Sequence, residues 1–295
     1  MSRIVLTLVG GLGNQLHSLA AGYYFARKLN KKLIILMPAK SPKDKKRNGD
    51  KNLHAFNLKE IQGIKIQIID GSHGYKHRLI RTMLRLSSRY TKIRHSNLHL
   101  DKNVKLIEFQ NSIEMKYSTV FMEDHYENSY LPLAAKEIGF PMELNLSSPS
   151  QDYLQLAAFL LEENRHLIVG VHIRLGDFKT WNRGSNLLPS TYYQECLDQI
   201  YKKNKDTYVW LFSDEPDEAL DMLGNKSNIS VISKEYHLSN AEEMKLLSKV
   251  DFLVASNSTF SWWSGFWKYD QKNVWFLESE YALDVWNKTK LRQES

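Results

Sequence analysis

The chain has 295 residues, 42% hydrophobic and 25% charged, which fits one large or two ordinary globular domains and excludes global disorder. A single cysteine, Cys196, excludes an intrachain disulfide and a cysteine-built zinc site, and points to a reducing compartment. The net charge of +7 is unevenly spread: residues 1–150 carry 24 Lys and Arg against 12 Asp and Glu, residues 151–295 carry 16 against 21, so the first half suits either an anionic partner or plain solubility.

Residues 3–9 are apolar and β-branched and predict a buried strand. The run is too short for a signal peptide or a membrane span, and no other stretch approaches 18 apolar residues. The expectation is a soluble, cytoplasmic protein. After Gly10-Gly11-Leu12-Gly13, Asn14 is the expected cap of a helix to about residue 29, and 33–37 is the next strand. Strand, glycine turn, helix, strand is a βαβ unit. Residues 38–52 predict a basic loop. Residues 76–94 predict a helix with Leu79, Ile80, Met83, Leu84 and Leu86 as its apolar residues, and Arg78, Arg81, Arg85 and Arg89 on one face. That face suits either an anionic membrane or solvent over an ordinary core stripe.

Residues 145–150 read as a linker, placing domains at 1–148 and 149–295. Beyond it the predicted elements alternate: helix 150–164, strand 167–174, helix 190–203 capped by Ser190, strand 208–212, helix 215–223, strand 229–232, helix 240–249, strand 252–255, helix 259–269 and strand 274–277. Such alternation argues for a parallel sheet covered on both faces.

Four segments carry candidate chemistry. Gly10–Gln15 lets a ligand approach the backbone at a helix N-terminus, or is merely a tight turn. It matches neither the dinucleotide-binding glycine spacing nor a P-loop. In Val169-Gly170-Val171-His172-Ile173-Arg174-Leu175-Gly176-Asp177, alternation turns His172 and Arg174 to the face opposite Val171, Ile173 and Leu175. An arginine at the end of a parallel strand suits a diphosphate, or a structural pair with Asp177. Phe212-Ser213-Asp214 offers a carboxylate to a base or ribose, or a helix cap. Asn257-Ser258-Thr259-Phe260-Ser261-Trp262-Trp263 offers Ser258 and Thr259 to phosphate at a helix start, with the tryptophans anchoring the helix in the core, or is purely a structural cap with aromatic packing. There is no Asp-x-Asp; Glu278-Ser279-Glu280 is the nearest acidic pair, and surface charge is its plainer meaning.

In order and spacing these four segments resemble the α-1,2-fucosyltransferases of the bacterial and animal type, over residues 3 to about 270. The resemblance implies an α/β fold of GT-B architecture, two Rossmann-like domains facing across a cleft. It implies a metal-independent, inverting transferase with GDP-β-L-fucose as donor and no cofactor. Its acceptor would be a galactose-containing glycan, possibly lipid-linked, met by the basic first domain. Arg174 would carry the leaving phosphate's charge, with Ser258 and Thr259 behind it. His172 and Asp214 would hold base or ribose, and Gly11, Gly13 and Asn14 would close on the diphosphate and sugar. Asp177 is the first candidate for the acceptor's base, before His17 and Glu123. The family usually has a second arginine where Leu175 stands, and Met and an aromatic where Leu16 and His17 stand. These departures leave open another donor or linkage, with a nucleotide- or nucleic-acid-binding protein as the non-enzymatic alternative.

Overall fold

The computed structural model describes residues 2–8, 10–37, 52–58, 61, 67–70, 79, 82–83, 86, 90–93, 118–122, 130–141, 143–163, 165–180, 184, 187–224, 227–268 and 274–275. The chain divides into two compact units, Met1–Asn145 and Leu146–Ser295. Each is built on a parallel five-stranded sheet, so each is a Rossmann-like α/β unit.

In the first unit the strands are β1 (Arg3–Thr7), β2 (Lys32–Met37), β3 (Gln67–Asp70), β4 (Tyr90–Ile93) and β5 (Thr119–Met122). Their order is β3-β2-β1-β5-β4. Helix α1 (Leu12–Lys28) links β1 to β2 and α2 (Tyr130–Glu137) follows β5. Burial explains β1: Ile4, Val5 and Leu6 are wholly enclosed, and the strand pairs with β2 on one side and β5 on the other. A strand buried on both faces reads as a continuous apolar run.

Two expectations change here. The N-cap of α1 is Gly11, without a side-chain cap, and Asn14 lies inside the helix. Gly10 precedes it at φ 76°, a left-handed conformation that favours glycine. The predicted helix over 76–94 does not reach its end. Leu79, Thr82, Met83 and Leu86 are helical and exposed, but Tyr90–Ile93 is β4, paired in parallel with β5. The ladder hydrogen bonds outweighed the helical spacing of the arginines. Arg78, Arg81, Arg85 and Arg89, the predicted loop at 38–51, Glu123 and the 278–280 segment lie outside the described residues.

In the second unit the strands are β6 (Leu167–Ile173), β7 (Thr207–Ser213), β8 (Ile229–Val231), β9 (Phe252–Val254) and β10 (Val274–Trp275), ordered β10-β9-β6-β7-β8. The helices are α3 (Gln151–Phe159), α4 (Ser190–Lys203), α5 (Pro216–Leu223), α6 (Ile232–Glu235), α7 (Asn240–Leu247) and α8 (Thr259–Trp267). Ser190 is the first residue of α4; the cap is Pro189. The short helix α6 forms where the sequence predicts the strand to end.

Side chains alternate along β6. Val169, Val171, Ile173 and Leu175 join a core with Tyr192, Tyr193, Cys196 and Leu197 of α4. On the other face lie Gly170 and His172. A Cβ at Gly170 would come within 2.9 Å of Val250 and 3.0 Å of Leu247, so glycine is what lets the end of α7 lie against the strand. Three contacts fix the unit's frame. Arg165 grips Asp251 at 2.5 and 3.0 Å, and the same carboxylate accepts the Ile168 N–H at 2.7 Å, tying the start of β6 to the start of β9. Glu242 completes a capping box with Ser239 at the start of α7 and also accepts the Ser150 N–H that begins α3. Desolvation works against the Glu242 carboxylate, but the hydrogen bonds from Ser150 and Ser239 outweigh it and its pKa is lowered. Trp262 and Trp263 of α8 are wholly buried, packed edge to face, with Trp262 stacked on Phe266 at 4.9 Å.

Because α7 already touches the Gly170 backbone face, Gly170→Ala is expected to lower stability by about 1–3 kcal/mol through overpacking. Urea denaturation of the full chain measures it; an unchanged midpoint would show that Val250 and Leu247 move aside freely.

Candidate functional site

Strands β7 and β8 extend the second sheet to one side of β6, and β9 and β10 to the other. The strand order reverses between β6 and β9, and open α/β sheets bind ligands beyond the carboxyl ends of the strands at such a point. The residues there are Arg174 after β6, Asp214 after β7, and Ala255–Ser258 between β9 and α8.

Arg174 leaves β6 on the face opposite the core and is half-buried. Its Nη1 meets Asp214 Oδ2 at 2.9 Å and its Nη2 meets Asp177 Oδ1 at 2.7 Å. The two carboxylates are not equivalent. Asp214 is mostly enclosed, and its Oδ1 accepts the Leu175 backbone N–H at 3.0 Å. It is thus anchored to the backbone of the strand end whose arginine it holds. Asp177 is 59% exposed, on a short 3-10 turn, Gly176–Lys179. An exposed pair of that kind contributes little and exchanges readily. The structural pairing foreseen for Arg174 with Asp177 is present. So is a second ion pair, to the more enclosed Asp214, and with five N–H donors the guanidinium still has capacity for an anion. Lys179 is paired with Glu218, which raises its pKa.

His172 is buried against α8. Its Nδ1 lies 2.6 Å from Ser261 Oγ and 2.9 Å from Ser256 Oγ, and Phe260 stacks on its ring at 4.8 Å. The ring is neutral: desolvation, then the nearby charge of Arg174, lowers its pKa to about 3. Ser256, Ser258 and Ser261 form a closed hydroxyl cluster. Ser261 Oγ accepts the Ser256 N–H, Ser258 Oγ accepts the Ser261 N–H as N-cap of α8, and Ser256 and Ser258 hydroxyls are 3.0 Å apart. Ser258, expected to face phosphate, also caps α8 through its oxygen. Thr259 is partly exposed at the first position of α8. Ser256 and Ser261 were missed by sequence reasoning. Their signal is the spacing of small residues around a strand end, which cannot say which hydroxyl points inward. Where the family resemblance places a second arginine, Leu175 is 3% exposed in the core with Leu188 and Tyr192.

In the first unit, Gly11 is exposed, and a Cβ there would meet nothing within 4 Å. Gly13 is buried and Asn14 partly so. His17 is wholly enclosed in α1, with Nδ1 3.0 Å from the Gly13 carbonyl. Burial lowers its pKa to about 4. His17 packs inside the first unit, as the plain helix residue that was its other reading. Cys196 is buried in the second core, its thiol pushed up to about 12, so it is inert. Among the described residues, no group of three or more His, Cys, Asp or Glu is placed to hold a metal ion.

Residues 151–274 match the model of glycosyl transferase family 11. The chain is 26% identical to the O-antigen biosynthesis glycosyltransferase WbnK of Escherichia coli, over 95% of this chain and 98% of that protein. Among solved structures it resembles POFUT1 in complex with GDP, at 12% identity and TM-score 0.58, over 94% of this chain and 99% of that one. It also resembles the fucosyltransferase NodZ from Bradyrhizobium, at 15% identity and TM-score 0.53, over 89% and 91%. These likenesses show the GT-B fold, in agreement with the two Rossmann-like sheets.

The two enclosed histidines give a signed pH dependence. Each has a folded pKa below its unfolded value of about 6.5, so the unfolded chain binds more protons as pH falls from 6.5 toward 4. Stability is complete above about pH 6.5 and is expected to fall by about 2 kcal/mol per histidine at pH 5. Urea midpoints at pH 7 and pH 5 test this. His172→Asn should roughly halve the difference, and an equal difference in that variant would remove His172 from the account.

Proposed function

Taking this chain as a glycosyltransferase of the family 11 type, a fucosyltransferase family, we propose that it moves L-fucose from GDP-β-L-fucose to a hydroxyl of a glycan, with inversion and without a metal. The acceptor is O2 of a terminal galactose, and the product an α-1,2 linkage. The observation that carries the reading is the guanidinium of Arg174, held by a backbone-anchored Asp214 at the switch point of the second sheet. The similarity to an O-antigen biosynthesis glycosyltransferase supports an O-antigen precursor as acceptor, which we propose is lipid-linked.

Breaking the sugar–phosphate bond leaves growing negative charge on the β-phosphate. Fixed N–H donors and a fixed cation lower that barrier because they need no reorganisation as the charge develops. Arg174 supplies the cation. The N-terminus of α8, with Thr259 at its first position, adds backbone N–H groups and a partial positive charge. Ser258, whose oxygen accepts the Ser261 N–H, offers its own O–H to phosphate. His172 stands beside the nucleoside as a neutral ring locked by Ser256 and Ser261. Asp214 acts on the donor through Arg174. Gly11, Gly13 and Asn14, at the start of α1, offer backbone approach to the donor.

Asp177 is the proposed base for the acceptor hydroxyl. A carboxylate paired with a guanidinium is a weak base. The role therefore requires that the incoming diphosphate take over the Nη2 contact and release Asp177, whose 59% exposure allows it. A different linkage is the second reading, and Leu175 favours it: with that side chain in the core, this strand end carries one arginine.

We also propose peripheral contact with an anionic membrane through the segment around Leu79, Met83 and Leu86, which are 52, 58 and 83% exposed. Their spacing places them on one helical face, and no acid occurs between Asp70 and Asp101. No described helix is long and apolar enough to cross a membrane.

Three experiments test these readings. Incubation with GDP-fucose and other sugar nucleotides in EDTA, with galactose-terminated acceptors, should release GDP and give a fucosylated product. Transfer from UDP-glucose instead would overturn the donor. Arg174→Ala should lower turnover about 10²- to 10³-fold, with Arg174→Lys between it and wild type. For the membrane, flotation with vesicles containing anionic lipid should carry the chain, and the Leu79→Ser, Met83→Ser, Leu86→Ser triple variant should stay behind. Equal flotation of both would refute that contact.

A further inference from the structure

Where the chain passes from β9 into α8 it is fixed on both sides of Asn257. Before it, the Ala255 carbonyl accepts the Tyr192 hydroxyl at 2.9 Å, and the Ser256 N–H donates to Ser261 Oγ at 3.0 Å. After it, Ser258 Oγ caps α8 by accepting the Ser261 N–H at 3.2 Å, and the Ser258 N–H donates to the Ser256 carbonyl at 2.9 Å. That last bond closes a three-residue turn with Asn257 at its centre. The side chain of Asn257 takes no part in any of this. The residue is 8% exposed, and its Oδ1 is enclosed without a hydrogen-bond partner among the described residues. The cap and the turn are complete without it.

Buried polar atoms are nearly always paired, because an unpaired one gives up its hydration and receives nothing in return. Asparagine at this place therefore weakens the free chain, and its use must lie in the bound state. Its position says what binds. Asn257 adjoins the N-terminus of α8 at the switch point of the second sheet, where the diphosphate of the donor is proposed to lie. Phosphate itself cannot partner Oδ1, since both are acceptors. The groups on either side of a diphosphate in a nucleotide sugar are the ribose and the transferred sugar, and their donors are hydroxyls. The base lies one ribose further off. The terminal torsion of asparagine is broad, so rotation about Cβ–Cγ brings Oδ1 to the part of the residue left open.

Resting on the proposed GDP-sugar donor, we infer that Asn257 is a specificity-determining residue whose Oδ1 accepts a hydroxyl from one of the two sugars flanking the diphosphate. Ser258 and Thr259 then serve the phosphate and Asn257 the sugar beside it. Adjacent residues at one helix start thus divide the donor between its anionic part and a neutral one. A nucleotide sugar without a hydroxyl at that place leaves Oδ1 unpaired in the complex as well, and binds more weakly. Removing the amide should cost the free chain nothing, because replacing an unpaired polar group by an apolar one of the same shape is neutral or stabilising. A side chain that served the cap or the turn would behave in the opposite way.

The test is calorimetric binding of GDP-fucose, GDP, 2′-deoxy-GDP and 3′-deoxy-GDP to the full chain, as wild type, Asn257→Leu and Asn257→Ala. Leucine keeps the branching and removes both polar atoms; alanine excludes added bulk as the cause of a loss. Both variants should bind GDP-fucose about five- to tenfold more weakly, with the Tm of Asn257→Leu at or above that of wild type. Unchanged affinity for GDP assigns the contact to the transferred sugar. An equal loss with GDP that is absent from one of the deoxy nucleotides assigns it to the ribose. A loss common to all four ligands would place Asn257 on phosphate or base, and no loss would leave it without a ligand; either overturns the inference and leaves the donor reading intact. A lowered Tm in both variants, or failure to fold, would show that the side chain serves the free chain and would overturn it equally. A wild-type chain that binds a UDP-sugar and none of the four would overturn both readings.

Discussion

The carboxylate of Asp214 is the contact on which the second unit's chemistry depends. One oxygen accepts the Leu175 N–H and the other meets the Arg174 guanidinium. The first bond fixes the backbone where β6 ends, and the second fixes the side chain that emerges there. An arginine on a flexible stem loses rotamer freedom on binding an anion. Here that ordering is done at folding. The cost is a negative charge beside a site proposed for phosphate, and the sheet offsets it by directing the N-terminus of α8 to the same end.

The rest of the frame keeps that end rigid. Asp251 ties β9 to β6 at the opposite end through Arg165 and the Ile168 N–H, and Gly170 lets α7 pack directly on the strand. His172 is enclosed between Phe260 and two serine hydroxyls. Its burial makes it a neutral hydrogen-bonding post and not an acid or base near pH 7. Glu243 is the contrasting case, a carboxyl whose desolvation, with Asp214 and Glu242 adding to it, raises its pKa to about 7. The same low-dielectric setting holds one group uncharged and leaves the other able to respond to pH.

Much of the second unit was readable because its elements are long and its periods distinct. The alternation through 169–175 separated core from site, and the core with α4 agrees residue by residue. The tryptophan pair was expected in the core and is wholly buried. The later strands of the first unit were not readable. Gln67–Asp70 and Tyr90–Ile93 are four residues each, too short for a period to show. The second was absorbed into a helical pattern by the spacing of Arg81, Arg85 and Arg89. Only pairing with β5 reveals it as a strand, and pairing is a contact between residues far apart in sequence.

The sequence by itself determined the α/β class and the place of Arg174 at a strand end, because these follow from side-chain period and ordered short motifs. It could not decide how the polar residues divide their hydrogen bonds. Ser258 and Ser261 are chemically alike, yet one caps α8 and the other meets His172. Asp177 and Asp214 both pair with Arg174, yet one is exposed and the other anchored. Glu242 and Glu243 are neighbours, yet one is saturated and the other is not. A hydroxyl or carboxylate has no fixed partner until packing sets which donors reach it and how much water remains, and only the tertiary structure sets both.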